Sequence, residues 1–256
     1  MVIAAAFAFA SGVQATNWLI SQTNFYYQEN VAWKKHEEKI LNQLSPNMQL
    51  QYAEQILGEP IFRDGGEKYK EYVFKRRAHW VQLVTDDNNK IQLYSIAICD
   101  PSFQPKIKLP GEKTVQMNKD TLATSGNKQT HYFISGATSN SYLIEGGYGA
   151  NPENYQSTYL GTTDSCGGIH GEEYYVLLDR KKCPNSHLGV QGYSEDFCQY
   201  DTEDSEISAM RKNIKIDTVA ITAPNVGISD LRPRFQIGPD RIELRVLPEY
   251  YKEYGR

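Results

Sequence analysis

An α+β body is what this sequence predicts, and three observations predict it. Apolar residues recur at helical spacing between Val31 and Leu57, then change to a period of two from Tyr69 to Cys99. Short strand-like runs separated by Gly- and Asn-rich connections fill the second half. Tyrosine is abundant, at 18 of 256 residues, and its ring suits a pleated surface while its hydroxyl reaches water.

The elements follow in order. Val2–Val13 is almost wholly apolar, Trp18, Leu19 and Ile20 extend it, and Glu29 is the first side chain charged at neutral pH. A helix over residues 2–20 spans about 28 Å, close to the thickness of a hydrocarbon core. Trp18, Phe25, Tyr26, Tyr27 and Trp33 fall where interfacial aromatic anchors sit, and Lys34, Lys35 and Lys39 follow. Residues 1–28 therefore read as a transmembrane anchor. A cleavable signal ending near Val13-Gln14-Ala15 and a buried core helix are the alternatives. The lysines on the C-terminal side place the body in the cytoplasm by charge bias; a periplasmic body is the alternative.

Val31–Leu44 reads as an amphipathic helix carrying Trp33, Ile40, Leu41 and Leu44 on one side. Ser45-Pro46 reads as a cap and first turn of a second helix, with Met48, Tyr52, Ile56 and Leu57 inward and Gly58 ending it. Strands are expected at Tyr69–Lys75, His79–Thr85 and Lys90–Cys99, the last two joined by the Asp86–Asn89 turn. Residues 101–130, with Pro101, Pro105, Pro110 and Gly111, read as a polar linker. Residues 131–256 read as a β-rich region with strands near His131–Ser135, Ser141–Glu145, Glu173–Leu178, Asn213–Thr222 and Arg241–Leu247. No internal repeat is visible.

The net charge of −4 is concentrated, because Glu195, Asp196, Asp201, Glu203, Asp204 and Glu206 crowd one stretch without a cation. No strongly basic field results, so nucleic acid is not an expected partner. Lys68, Lys70, Lys75, Arg76 and Arg77 read as a solvated strand edge guarded by charge.

The succession Ile56-Leu57-Gly58-Glu59-Pro60, two strands, an Asp/Asn turn and a third strand resembles the small outer-membrane lipoprotein fold of SmpA/BamE type over residues 31–100, within a unit of residues 29–100. That resemblance implies two helices on a short antiparallel sheet and a role in binding and scaffolding. The chain departs from the family in lacking a lipobox cysteine after its apolar run and in carrying a long second half. The whole chain is also similar to an enterobacterial membrane-anchored family, which carries no activity over to it.

Chemistry can be sought first among Cys99, Cys166, Cys183 and Cys198. Cys99 ends an apolar strand and reads as a small buried hydrophobe. Cys166 with His170, and Cys183 with His187, form two C-x-x-x-H units whose thiolates and imidazoles could close a tetrahedral zinc site. A disulfide among Cys166, Cys183 and Cys198 competes with that reading. So does a Cys166 nucleophile served by His170 or His187 beside Gly167 and Gly168. The leading expectation is a membrane-tethered module that recognises a protein or peptide on a Tyr-rich sheet face or along an edge strand, without a cofactor. A Cys/His-dependent hydrolase or transferase and a zinc-stabilised interaction domain are the alternatives.

Overall fold

The computed structural model describes residues 31–65, 68–126, 130–134, 142–148, 156–163, 166, 196–197, 202–226, 231 and 237–238. The chain divides into two compact units, Met1–Leu41 and Asn42–Arg256. In the first, helix α1 spans Trp33–Leu41 and buries Glu37, Ile40 and Leu41. Residues 2–20, where the anchor is expected, lie outside the described residues. Among the described residues no helix is long and apolar enough to cross a membrane.

The second unit is α+β and is built on one antiparallel sheet. Helix α2 (Leu50–Leu57) precedes β1 (Phe62–Gly65), β2 (Lys70–Lys75), β3 (His79–Thr85) and β4 (Ile91–Ile98). Then come β5 (Lys106–Lys108), β6 (Thr114–Gln116), α3 (Leu122–Ser125), β7 (Thr130–Ile134), β8 (Tyr142–Tyr148) and β9 (Ser157–Thr163). β10 (Asp196–Phe197), α4 (Ser205–Asn213) and β11 (Thr218–Thr222) complete the order. The main sheet runs β1-β2-β3-β4-β11-β9-β8-β7-β10, and β5-β6 form a separate hairpin. β3 and β4 are buried at every position, the burial of strands covered on both faces.

Two matching halves meet at the centre of this sheet. β1–β4 form one meander; β7, β8, β9 and β11 form the other, and the last strands of each, β4 and β11, pair together. The entry to each half is built alike. Asn47 and Asn118 both take positive φ, 64° and 57°. Asn47 N–H donates to Ile91 O (2.8 Å) and Leu50 N–H to Asn89 O (2.9 Å); Asn118 N–H donates to Ile216 O (2.7 Å) and Leu122 N–H to Ile214 O (3.0 Å). Each helix start forms a bridge to the residues leading into its half's last strand, Gln49 to Lys90 and Thr121 to Lys215. Each helix ends on a glycine, Gly58 or Gly126. The repeat is structural and escapes sequence reading, because the two segments share little beyond Asn, Leu and Gly at these stations.

Several expectations need correction. The second helix starts at Leu50, not at Pro46, because Asn47 turns the chain left-handed and Gln49 is tied to Lys90. Tyr52, expected inward, is 57% exposed; Leu50, Ala53 and Leu57 face in. Residues 101–126 are not a simple link: Phe103, Ile107, Val115, Met117 and Leu122 are all buried there. Asn213 ends α4 instead of starting a strand, and β1 and β9 were not foreseen. The strands expected at Glu173–Leu178 and Arg241–Leu247 lie outside the described residues. The acidic run closes on a helix cap, where the Asp204 carboxylate accepts from Glu206 N–H (2.9 Å) and Ile207 N–H (3.2 Å).

Candidate functional site

Strand alternation gathers polar side chains on one sheet face where apolar ones are expected. Val73 pairs with Gln82 and Gln82 with Ser95, so Glu71, Gln82 and Ser95 share a face. All three are buried, at 3%, 1% and 0% exposure. They form a directed chain. The Gln82 carboxamide donates its Nε2–H to Glu71 Oε1 in a short hydrogen bond. A carboxylate beside the amide turns its NH₂ outward to Glu71 and its oxygen toward Ser95. Ser95 Oγ–H then donates to Gln82 Oε1 at 2.8 Å.

The acceptor end of this chain holds a backbone amide from far along the sequence. Gly238 N–H donates to Gln82 Oε1 at 2.9 Å and lies 3.1 Å from Ser95 Oγ. Gly238 has φ of 85°, a conformation that favours glycine. The polar row lies between two apolar clusters of the same face. One joins Val73 and Trp80 with Ile61, Phe62 and the Cys99–Cys166 pair. The other joins Val84 and Leu93 with Leu231, and Tyr69 and Val226 pack against it. Ser95 has a carboxamide as its partner and not an imidazole, so nothing on this row activates it as a nucleophile. What the row can do is hold an N–H.

The cysteine reading changes at this point. Cys99 is not a free buried hydrophobe; it is bonded to Cys166, with Cα atoms 5.0 Å apart. β4 and β9 flank β11 in the sheet, which brings the residues just beyond their ends together across 67 positions of sequence. Beside them Asp217 accepts from Thr162 Oγ1 (2.6 Å), Thr218 Oγ1 (2.8 Å) and Thr163 N–H (3.2 Å), closing that end of the sheet. In the disulfide Cys166 offers neither a thiolate nucleophile nor a zinc ligand. His170, Cys183 and His187, its expected partners in both roles, lie outside the described residues, as does Cys198. Among the described residues no group of three or more His, Cys, Asp or Glu side chains is placed to hold a metal. His79 is 1% exposed and stacks on Phe103 with ring centroids 5.5 Å apart.

A second buried polar group lies on the opposite face. Glu145 of β8 is fully buried, and Arg211 of α4 is 4% exposed. Arg211 Nε donates to Glu145 Oε1 (2.6 Å), and Nη2 donates to Glu145 Oε2 (2.9 Å) and to Leu122 O (2.9 Å). Gly126 lies so close that an added Cβ would stand 2.1 Å from Glu145 Oε2. The fork-to-carboxylate geometry is closed on itself; it ties α4 and α3 to β8 and leaves no reacting position open.

The expected Tyr-rich recognition face is not visible among the described residues. Tyr94 and Tyr159 of the central strands are buried at 3% and 2% exposure, and burial pushes the Tyr94 hydroxyl well above its ordinary value. The basic run is dispersed. Lys68 lies over Tyr69 (4.9 Å), Lys75 over Trp80 (5.4 Å), and Arg76 Nη1 donates to Leu57 O (3.1 Å). No signal at strand spacing marks Gln82 and Ser95, since His79 and Thr85 in β3 and Gln92 in β4 are buried polar residues as well.

Fold and site together define a disulfide-braced α+β body that uses buried side-chain acceptors to hold main chain. No protein-family model, curated protein or solved structure matches the chain.

Proposed function

We propose that this chain is a non-catalytic interaction module that recognises a protein or peptide partner and works outside the cytoplasm, tethered through residues 2–20. The observation that carries the reading is the convergence of Gln82 Oε1 and Ser95 Oγ on a single backbone N–H. Acceptors aimed at main chain, with apolar clusters on either side, are the parts from which peptide recognition is built. The disulfide favours the periplasmic alternative over the cytoplasmic one, because such bonds persist in oxidising compartments. It also weakens the Cys/His hydrolase and zinc-domain readings, which need Cys166 as a thiolate. The SmpA/BamE-like order of elements agrees with a scaffold role.

The test is made in cells. Free thiols are alkylated before lysis and the state of Cys99 and Cys166 is read by mass spectrometry. In parallel, a photo-crosslinking residue replaces the exposed Tyr52. An oxidised pair together with a reproducible one-to-one adduct to a single protein supports the proposal. A reduced pair, with substrate turnover that disappears in Cys166→Ala, would put the enzyme reading in its place.

A further inference from the structure

We propose that the outward face of the β5–β6 hairpin, with Lys106, Lys108 and Lys113, docks on an anionic phospholipid surface and fixes the body against the membrane that holds it. The inference rests on the tethered-module reading above and adds a second, electrostatic contact to that module.

The hairpin has one buried side and one exposed side. Ile107 is buried at 1% exposure, and Val115 and Met117 at 0%. Lys106, Lys108, Lys113 and Thr114 are exposed. Strand alternation sets Lys106 and Lys108 on the same side, and register places Gln116 opposite the first and Thr114 opposite the second. None of these facing residues is acidic. At the tip, Gly111 has φ of 77°, and a Cβ added there would meet nothing within 4 Å, so the tip projects into open space. Residues 101–119 contain four lysines and a single acid, Glu112, in a chain whose net charge is −4.

Basic side chains elsewhere are engaged by this chain. Lys68 and Lys75 lie over aromatic rings, Arg63 pairs with Glu54 and Glu59, and Arg76 donates to Leu57 O. Among the described residues, Lys108, Lys113 and Lys119 enter no ion pair. A surface that interleaves both signs cancels its own field, whereas a face of one sign attracts a surface of the other.

The place of the hairpin in the chain selects a bilayer as that surface. Asn42 Nδ2–H donates to Lys106 O (2.8 Å), and Asn42 Oδ1 accepts from Lys108 N–H (2.9 Å), so one carboxamide lies along the backbone of β5. Asn42 is the first residue of its compact unit and follows Ile20 by 22 positions. The clamp therefore ties the lysines to the point where the chain enters this unit from the tether. On so short a connection the patch meets the bilayer at an effective concentration on the order of millimolar, and contacts too weak to act alone are enough. Each lysine close to an anionic surface contributes about fivefold in affinity, so three contribute on the order of a hundredfold.

The experiment reconstitutes the full chain in lipid nanodiscs, one set zwitterionic and the other containing anionic phospholipid. Lysine acylation rates are read by peptide mass spectrometry, with the exposed Lys68 as internal reference. Lys108 and Lys113 are expected to react more slowly in the anionic discs by about fivefold or more, with Lys68 unchanged. High salt should restore their rates. Lys106→Gln combined with Lys108→Gln should restore the rate at Lys113. Protection that survives high salt, or that is indifferent to the double substitution, overturns the proposal. So does equal protection in zwitterionic discs supplied with inorganic phosphate, which would make the face a site for a free anion. A chain held by both discs with equal rates refutes the docking alone; a chain held by neither refutes the tether and the docking together.

Discussion

Replacing both Cys99 and Cys166 by alanine cuts a covalent tie between residues 67 apart in sequence. A cross-link stabilises chiefly by restricting the unfolded chain, and for a loop of that length the chain-entropy relation gives about 4 kcal/mol. For a chain of this size that corresponds to a melting temperature lower by roughly 8–16 °C. The denaturant slope should also rise, because the untied chain exposes more surface when it unfolds. Both cysteines are replaced together so that a single thiol cannot attack Cys183 or Cys198. Thermal and urea unfolding followed by circular dichroism read both quantities. Loss of sulfur packing against Val73 and Trp80 contributes too, but it would leave the denaturant slope unchanged. A melting temperature within about 2 °C of wild type, with an unaltered slope, would refute the loop-closure argument.

Four further outcomes are expected. Arg211→Met strands the fully buried Glu145 carboxylate and should cost about 3–5 kcal/mol in urea unfolding, most of it recovered when Glu145→Leu is added. Gly126→Ala places a Cβ 2.1 Å from Glu145 Oε2 and 2.4 Å from Leu122 O; the second is backbone and cannot step aside, so a loss of about 2 kcal/mol or more is expected. Asn47→Ala, at positive φ, should cost about 1 kcal/mol with Asn47→Gly near neutral, whereas Asn118→Ala and Asn118→Gly should each cost about 1 kcal/mol more, because both also lose the carboxamide's bonds to Asp100 O and Phe103 O (3.2 Å each). Burial raises Tyr94 in the folded state, so its contribution is complete below the unfolded value near 10 and is lost as pH climbs above it. Tyr94→Phe should therefore flatten the alkaline fall in stability relative to wild type, as measured by urea midpoints between pH 9 and 11.

The parts of the fold legible in the sequence are those in which one local pattern decides the outcome. His79–Thr85 and the Asp86–Asn89 turn read correctly because a short apolar, β-favouring run and an Asp that accepts from Asn88 and Lys90 N–H both act within a few residues. Helix α4 was hidden because its acidic surroundings resemble a loop, although Asp204 was present as a cap. β1 was hidden because Phe62–Gly65 is four residues long and half charged. The site was illegible for a different reason. Gln82, Ser95 and Gly238 become neighbours through strand register and a contact spanning most of the chain, and no local period encodes either. The cysteines misled because spacing suggested partners within the loop from Cys166 to Cys198, whereas sheet order places Cys99 beside Cys166.

The repeated architecture sharpens what the polar row means. Two equivalent entries, each with a left-handed Asn, a bridge and a glycine-ended helix, argue that the halves began with the same structural task. They now differ in how they use buried polarity. In the first half the hairpin between β3 and β4 is tight, and Gln82 and Ser95 face a segment from elsewhere in the chain. The row stops at the central seam, where Ser95 pairs with Ala220 and Ala220 with the buried Tyr159. In the second half β9 and β11 are separated by a long insertion that contains α4, and the buried polarity lies on the opposite face as the Arg211–Glu145 pair that fastens that helix. The row is satisfied within the chain, since Gln82 and Ser95 give the buried Gly238 N–H the acceptors it would otherwise lack. The second half ties down its own insertion, whereas the first keeps acceptors aimed at a peptide N–H.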